Sequence, residues 1–303
     1  MHARRRPILI ASVLALVLIA AAAGRTASGA PAPERWIVFS AHPNGAAGSL
    51  QLVRVRVNGT GLKQITTGAR SATQPAFSPD GKRLVFARLG SGIYRMNPDG
   101  TGLRRLTTGA RDIYPVWSPD GKRIAFLRPF RAEWRLYVMS PTGAGERRLP
   151  LAPPAGRPSW TANSTSILIP SAADLVRVDA RTGRIQKYYG LTLDIQTTQT
   201  ATVSPNGLMV AYLGPRLSTG PEDCGEGPCP QYALYLARVP APHRPRRLVN
   251  DSGAAGWSPD GKTLAYVHLD ALTLRTVASG ATRKIETGTH VAAGDSPPAW
   301  QPR

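Results

Sequence analysis

A Ser-Pro-Asp-Gly turn set between two short apolar runs occurs three times, and it limits the fold more than any other feature of the chain. Residues 75–88 read PAFSPDGKRLVFAR, residues 115–128 read PVWSPDGKRIAFLR, and residues 256–268 read GWSPDGKTLAYVH. Looser copies begin at Pro158 (PSWTANSTSILIP) and Thr202 (TVSPNGLMVAY). Aligned on the aromatic or apolar residue before the turn, the anchors are Phe77, Trp117, Trp160, Val203, Trp257 and Trp300, spaced 40, 43, 43, 54 and 43 residues apart. A steady period of that size marks a solenoid, a propeller or an array.

One copy is a β-hairpin on physical grounds. Pro presets the backbone at the second turn position, Asp tolerates the third, and Gly takes the positive-φ position that returns the chain antiparallel. The flanking runs have strand length and are rich in Val, Ile, Phe and Trp. A third run follows and ends in a second turn, Ile93-Tyr94-Arg95-Met96 before Asn97-Pro98-Asp99-Gly100. A fourth short run, Leu103 to Thr107, completes the unit. Four antiparallel strands per period of roughly 40 residues make a propeller blade.

The pattern resembles the WD-like repeat of the TolB-like β-propellers and of the propeller domains in prolyl-oligopeptidase-type enzymes. Gln74 to Thr108 and Tyr114 to Leu149 carry the resemblance best, and Gly253 to Ile285 carries it well. It implies an all-β fold of six four-stranded blades. Blade two is Gln74–Thr107, blade three Tyr114–Leu149, blade four Arg157–Tyr189, blade five Thr200–Asn250 and blade six Ala254–Glu286. Trp36-Ile37-Val38-Phe39 looks like a second strand without its first, and Pro298-Ala299-Trp300-Gln301 like a first strand without its second. The C-terminal strand is therefore expected inside blade one, with residues 36–66 supplying the other three. Such closure removes exposed sheet edges.

Residues 1–30 read as an export signal and residues 31–303 as a single propeller domain. Arg4-Arg5-Arg6 precede an apolar run from Ile8 to Ala23, and Ser28-Gly29-Ala30 supply small residues before Pro31. Cleavage after Ala30 and retention as an N-terminal anchor are the two outcomes. The location is exported: periplasmic, attached to the cell wall, or secreted. In an oxidising compartment Cys224 and Cys229, in PEDCGEGPCP, close a small disulfide loop, the alternative being a metal pair. They lie in the insertion that stretches one spacing to 54 residues.

A search for chemistry returns little. No G-x-S-x-G elbow, H-E-x-x-H pair, P-loop or dinucleotide fingerprint occurs in the sequence. Asp80, Asp120 and Asp260 lack the alternating acidic ligands of a calcium loop and are read as turn formers. The one-per-repeat tryptophans are read as wedges between blades. No cofactor and no metal are expected. The formal net charge is +20, and only 6 of the 38 basic residues are Lys. That charge is read as a solvated basic surface, with a polyanionic partner or a membrane surface as its other use.

The remaining site is the mouth of the central channel. Gln74, Tyr114 and Arg157 stand where innermost strands begin, and Arg70, Arg111 and Asp112 lie just upstream. Arg clusters suit carboxylate or phosphate through planar bidentate bonding. The loops near Arg70, Arg111 and His290 are expected to share one face with the second-to-third-strand loops, including the Cys loop. The reading is a non-enzymatic, monomeric binding or scaffold protein of the cell envelope. Its partner is an unknown protein or an anionic envelope component, with peripheral membrane contact and no nucleic acid. The alternative is a propeller enzyme acting on a sugar or lactone, for which His42, His290 and a carboxylate must converge.

Overall fold

The repeated turns fold as their chemistry requires. In the first, Ser78 and Arg83 pair through the Ser78 N–H (2.9 Å), and Gly81, at φ +67°, returns its N–H to the Ser78 carbonyl. Ser78 Oγ donates to Asp80 Oδ1 at 2.6 Å, and the Lys82 N–H donates to the same oxygen at 3.1 Å. Ser118 with Asp120 and Ser258 with Asp260 repeat this network. The degenerate copies keep it too: Thr161 donates to Asn163 and Ser204 to Asn206. These carboxylates are occupied in holding turns.

That occupation has a pH signature. The Ser78 hydroxyl and Lys82 N–H hold Asp80 below its ordinary value of 3.8, Thr101 does so for Asp99, and Thr182 for Asp179. A carboxyl whose folded pKa is depressed contributes stability above its unfolded value and loses it as pH falls through the folded one. The melting temperature should therefore hold between pH 7 and about 5 and fall below about pH 4. Equal melting at pH 3 and pH 7 in a thermal denaturation series would show that the turns carry no such stability.

The computed structural model describes residues 35–43, 48–131, 133–151, 156–171, 174–189, 200–215, 232–239, 245–287, 290–291 and 296–302. They fall within a unit spanning Glu34–Arg303. The export segment 1–30 and the pair Cys224 and Cys229 lie outside the described residues.

Blade one contains β1 (Trp36–His42), β2 (Gln51–Arg56) and β3 (Lys63–Gln64). Blade two is β4 (Ala72–Phe77), β5 (Leu84–Arg88), β6 (Gly92–Met96) and β7 (Arg104–Arg105). Blade three is β8 (Ile113–Trp117), β9 (Ile124–Phe130), β10 (Glu133–Met139) and β11 (Arg147–Arg148). Blade four is β12 (Ser159–Trp160), β13 (Ser166–Ser171), β14 (Asp174–Asp179) and β15 (Ile185–Tyr188). Blade five is β16 (Ala201–Val203), β17 (Met209–Pro215), β18 (Tyr232–Arg238) and β19 (Arg246–Asn250). Blade six is β20 (Gly256–Trp257), β21 (Thr263–His268), β22 (Ala271–Thr276) and β23 (Thr282–Ile285). Every pairing is antiparallel, in sequence order within each of these sheets.

The ring closes as expected, with one difference. β25 (Ala299–Trp300) pairs with β1 through Trp300 opposite Ile37 and Ala299 opposite Val38. β24 (His290–Val291) also pairs with β1, His290 opposite His42 and Val291 opposite Ala41. His290 thus belongs to a strand pair and not to an inter-blade loop. β1 is seven residues long, more than the two residues of β25 can cover, so the chain arriving from blade six covers its far end first.

Strand alternation explains why the runs read as continuously apolar. In β1, Ile37 and Phe39 enter the seam with blade six, while Val38 enters the seam with blade two. The inner and middle strands are buried on both faces because each blade has two neighbours, whereas the outermost strands are exposed. The core is accordingly distributed between blades: Phe126 packs with Val85 and Ile93, Ile167 with Leu127, Leu175 with Val210, and Tyr266 with Leu234.

Three of the four anchor tryptophans are wedges with a polar handle, while the indole N–H of Trp117 is buried without a partner among the described residues. Trp160 Nε1–H donates to the Val116 carbonyl at 3.2 Å, Trp257 to Thr202 at 2.9 Å and Trp300 to Gly256 at 3.0 Å. Each bond ties one innermost strand to that of the preceding blade. Arginines on third strands do the same further out. Arg54 Nη1 donates to the Pro98 carbonyl at 3.0 Å and Arg95 Nη1 to Pro141 at 2.8 Å, each reaching a turn of the next blade.

Candidate functional site

At the start of the innermost strands the sheet is interrupted. The register of β4 against β5 shifts between Thr73 and Ala76, and that of β8 against β9 between Ile113 and Val116. Gln74 and Tyr114 sit in these bulges at φ +58° and +54°. Each precedes a proline, which cannot donate to the ladder and so favours a bulge there. A non-glycine residue held at positive φ costs on the order of 1 kcal/mol or more. Bulges of this kind re-aim side chains.

The re-aimed groups form a hydrogen-bonded chain around the inner wall. Ser40 Oγ and Ser296 Oγ lie 2.8 Å apart, and the Gln74 N–H donates to Ser296 Oγ at 2.8 Å. Gln74 Oε1 then accepts from the Tyr114 N–H at 2.9 Å. Blades one, two and three are thereby joined at the axis. Gln74 and Tyr114 are 3% and 4% exposed.

Arg157 continues the series at the entry to blade four. Arg157 is half-buried. Desolvation pulls it down to about 10, opposed by Tyr114. Among the described residues its Nε is buried without a hydrogen-bond partner, as are the hydroxyls of Thr73, in blade two, and Thr200, at the entry to blade five. A desolvated guanidinium with an unpaired N–H favours an anionic acceptor.

The other anticipated residues are elsewhere. Arg70 and Arg111 are exposed. Arg70 Nη1 donates to the Gly90 carbonyl, in the turn between the second and third strands of blade two. The loop entering blade two and that blade's second-to-third-strand turn therefore lie together, while the Cys loop lies outside the described residues. Asp112 is already occupied by another side chain. It is 1% exposed, and Arg128 forks it, Nε to Oδ1 at 2.6 Å and Nη2 to Oδ2 at 2.7 Å. Arg128 also reaches Glu146 and stacks over Tyr137 at 4.8 Å, and the two carboxylates push its pKa upward. Asp112 occupies the blade-three position equivalent to Ala72, so no repeat signal marked its partner.

His42 and His290 are cross-strand partners in the backbone, and His42 Nδ1 lies 2.7 Å from the Gly48 carbonyl. Among the described residues no group of three His, Cys, Asp or Glu is placed to hold a metal. Ser40 and Ser296 are participants that sequence reasoning missed. They have no motif, and their meeting depends on ring closure.

The family model for the TolB beta propeller domain matches residues 17–188, more than half of the chain. The chain belongs to the TolB β-propeller domain family. No curated protein matches it in sequence. Among solved structures, TolB from Acinetobacter baumannii is similar at TM-score 0.68 and 16% identity, covering 89% of this chain and 67% of that one. A putative TolB from Agrobacterium tumefaciens aligns at TM-score 0.60 and 14% identity, covering 88% and 98%. A chain of the Nidogen/Laminin complex aligns at TM-score 0.64 and 12% identity, again over 88% and 98%. At these identities the likeness shows the shared TolB-type propeller fold.

Proposed function

We propose that this TolB-type propeller is an exported, non-enzymatic binding protein that holds an acidic segment of a partner protein at its channel mouth. The supporting observation is the inner-wall chain from Ser40 to Tyr114 together with a desolvated Arg157, whose Nε has no hydrogen-bond partner among the described residues. Such a group gains from a carboxylate more than a solvated arginine does, because its desolvation has already been paid. Arg70 and Arg111 on the loop face add attraction at longer range. The signal-like residues 1–30 support an envelope location.

The test is fluorescence anisotropy with a labelled deca-glutamate peptide. Arg157→Met should weaken binding by about tenfold or more, in line with the loss of one charge-assisted bond of about 1.5–3 kcal/mol. Arg70→Glu with Arg111→Glu should slow association and reduce its salt sensitivity. Unchanged affinity in Arg157→Met, with an unaltered melting temperature, would dispose of the reading. Cell fractionation with N-terminal sequencing checks export independently.

A further inference from the structure

The positive charge has a definite place in the fold. The outermost strand of each of the six blades carries Lys or Arg: Lys63 in β3, Arg104-Arg105 in β7, Arg147-Arg148 in β11, Lys187 in β15, Arg246-Arg247 in β19 and Arg283-Lys284 in β23. All of these residues are exposed, and the six strands contain no carboxylate. Among the described residues none of them is ion-paired. Arg105, Arg147 and Arg283 donate to backbone carbonyls of Thr107, Ala180 and Val57, which leaves their charge uncompensated. Of the carboxylates flanking these strands, Glu146 is engaged by Arg128, and Glu286 is exposed directly after β23, near the basic pair of that strand.

Charged side chains on an edge strand guard against edge-to-edge pairing, but either sign serves that purpose. A single sign repeated on every blade calls for a further reason. Adjacent residues of a strand point to opposite faces. In the four blades with paired basic residues, the clefts on both sides therefore receive cations, and these clefts run around the outer wall. Each of these blades thus sends one cation of the pair into each of its two clefts, so the series continues from blade to blade around the ring. A series of cations running from blade to blade suits a polymer with an anion on every backbone unit, and guanidinium forks suit the oxygens of phosphate.

We infer that the outer wall binds a flexible linear phosphate polymer that follows the circumference of the ring. The surface is distinct from the channel mouth, and its cations face outward from all blades. A planar membrane reaches only the sector turned toward it, whereas a flexible chain reaches several blades in succession.

The probe is long-chain inorganic polyphosphate, titrated against the full chain at several salt concentrations. Binding should weaken with salt as counterions are released. Arg104→Gln with Arg105→Gln in blade two, and Arg246→Gln with Arg247→Gln in blade five, should each weaken binding about tenfold and flatten the salt slope. Combining the four changes should weaken it further, while melting temperatures stay unchanged and Arg157→Met binds polyphosphate normally. Any of four results overturns the inference: unchanged affinity in the outer-strand variants, tripolyphosphate binding as tightly as the polymer, tighter binding of polygalacturonate, or tighter binding to phosphatidylglycerol vesicles.

Discussion

Replacing Trp300 with Ala should destabilise the protein by about 3–5 kcal/mol, the usual loss for a large aromatic removed from a core. Trp300 is 8% exposed and lies in the seam cluster with Ile37, Val55, Ala265 and Leu274. It supplies half of the β25 pairing to β1, and its indole N–H is bonded to the Gly256 carbonyl. The loss should appear as a fall in melting temperature of about 10 °C. Gly256→Ala approaches the same seam from the other side. A Cβ there would land on the Pro298 carbonyl oxygen, a backbone atom that cannot rotate away. That variant should lose about 3 kcal/mol or more by overpacking. Losses below about 1 kcal/mol in both variants would mean that ring closure contributes little to stability.

Asp112→Ala should cost about 2–4 kcal/mol. Breaking a buried ion pair usually costs 3–5 kcal/mol, and the smaller figure reflects a partner that keeps water contact and a second carboxylate. The Asp112 side chain has no accessible surface, whereas Arg128 and Glu146 are 24% and 30% exposed. Glu146→Gln should therefore cost less than about 1 kcal/mol. Replacing Arg128 by Leu alongside Asp112→Ala should recover part of the loss, because no unpaired cation then remains. If urea denaturation gave the two single carboxylate variants the same cost, the assignment of Asp112 as the principal partner would fall. Asp112 lies two residues before Tyr114 on the segment entering β8. The variant should also loosen the inner-wall hydrogen bond to Gln74.

The architecture was legible because each blade repeats one local problem. A Ser or Thr two residues before an Asp or Asn sets the turn after the innermost strand in each described copy, which is why even those at Thr161 and Ser204 fold like the better ones. The closing strand was legible because Trp36–Phe39 and Ala299–Trp300 are complementary halves of that repeat. What could not be read were contacts made between repeats. Gln74 and Tyr114 stood at the right positions, and Pro75 and Pro115 hinted at interruptions. That Gln74 reaches the next blade's backbone depends on how the bulges sit across a seam. Asp112 and Arg128 are 16 residues apart, and only the β8–β9 hairpin turns that separation into a fork. Net charge was visible as a total, but its concentration on outermost strands required the strand order.

The pairing of Ile37 with Trp300 also bears on how the protein is made. During synthesis from the N-terminus, β1 exists long before its inner partner does, with one edge bare and no strand to cover it. The hairpins of blades two to six can form as they emerge, since each joins neighbours in sequence. The first sheet must wait. Until β24 and β25 arrive, the nascent chain is an open arc with two adhesive ends, and that interval is when premature pairing between two copies, or capture by a chaperone, has its opportunity.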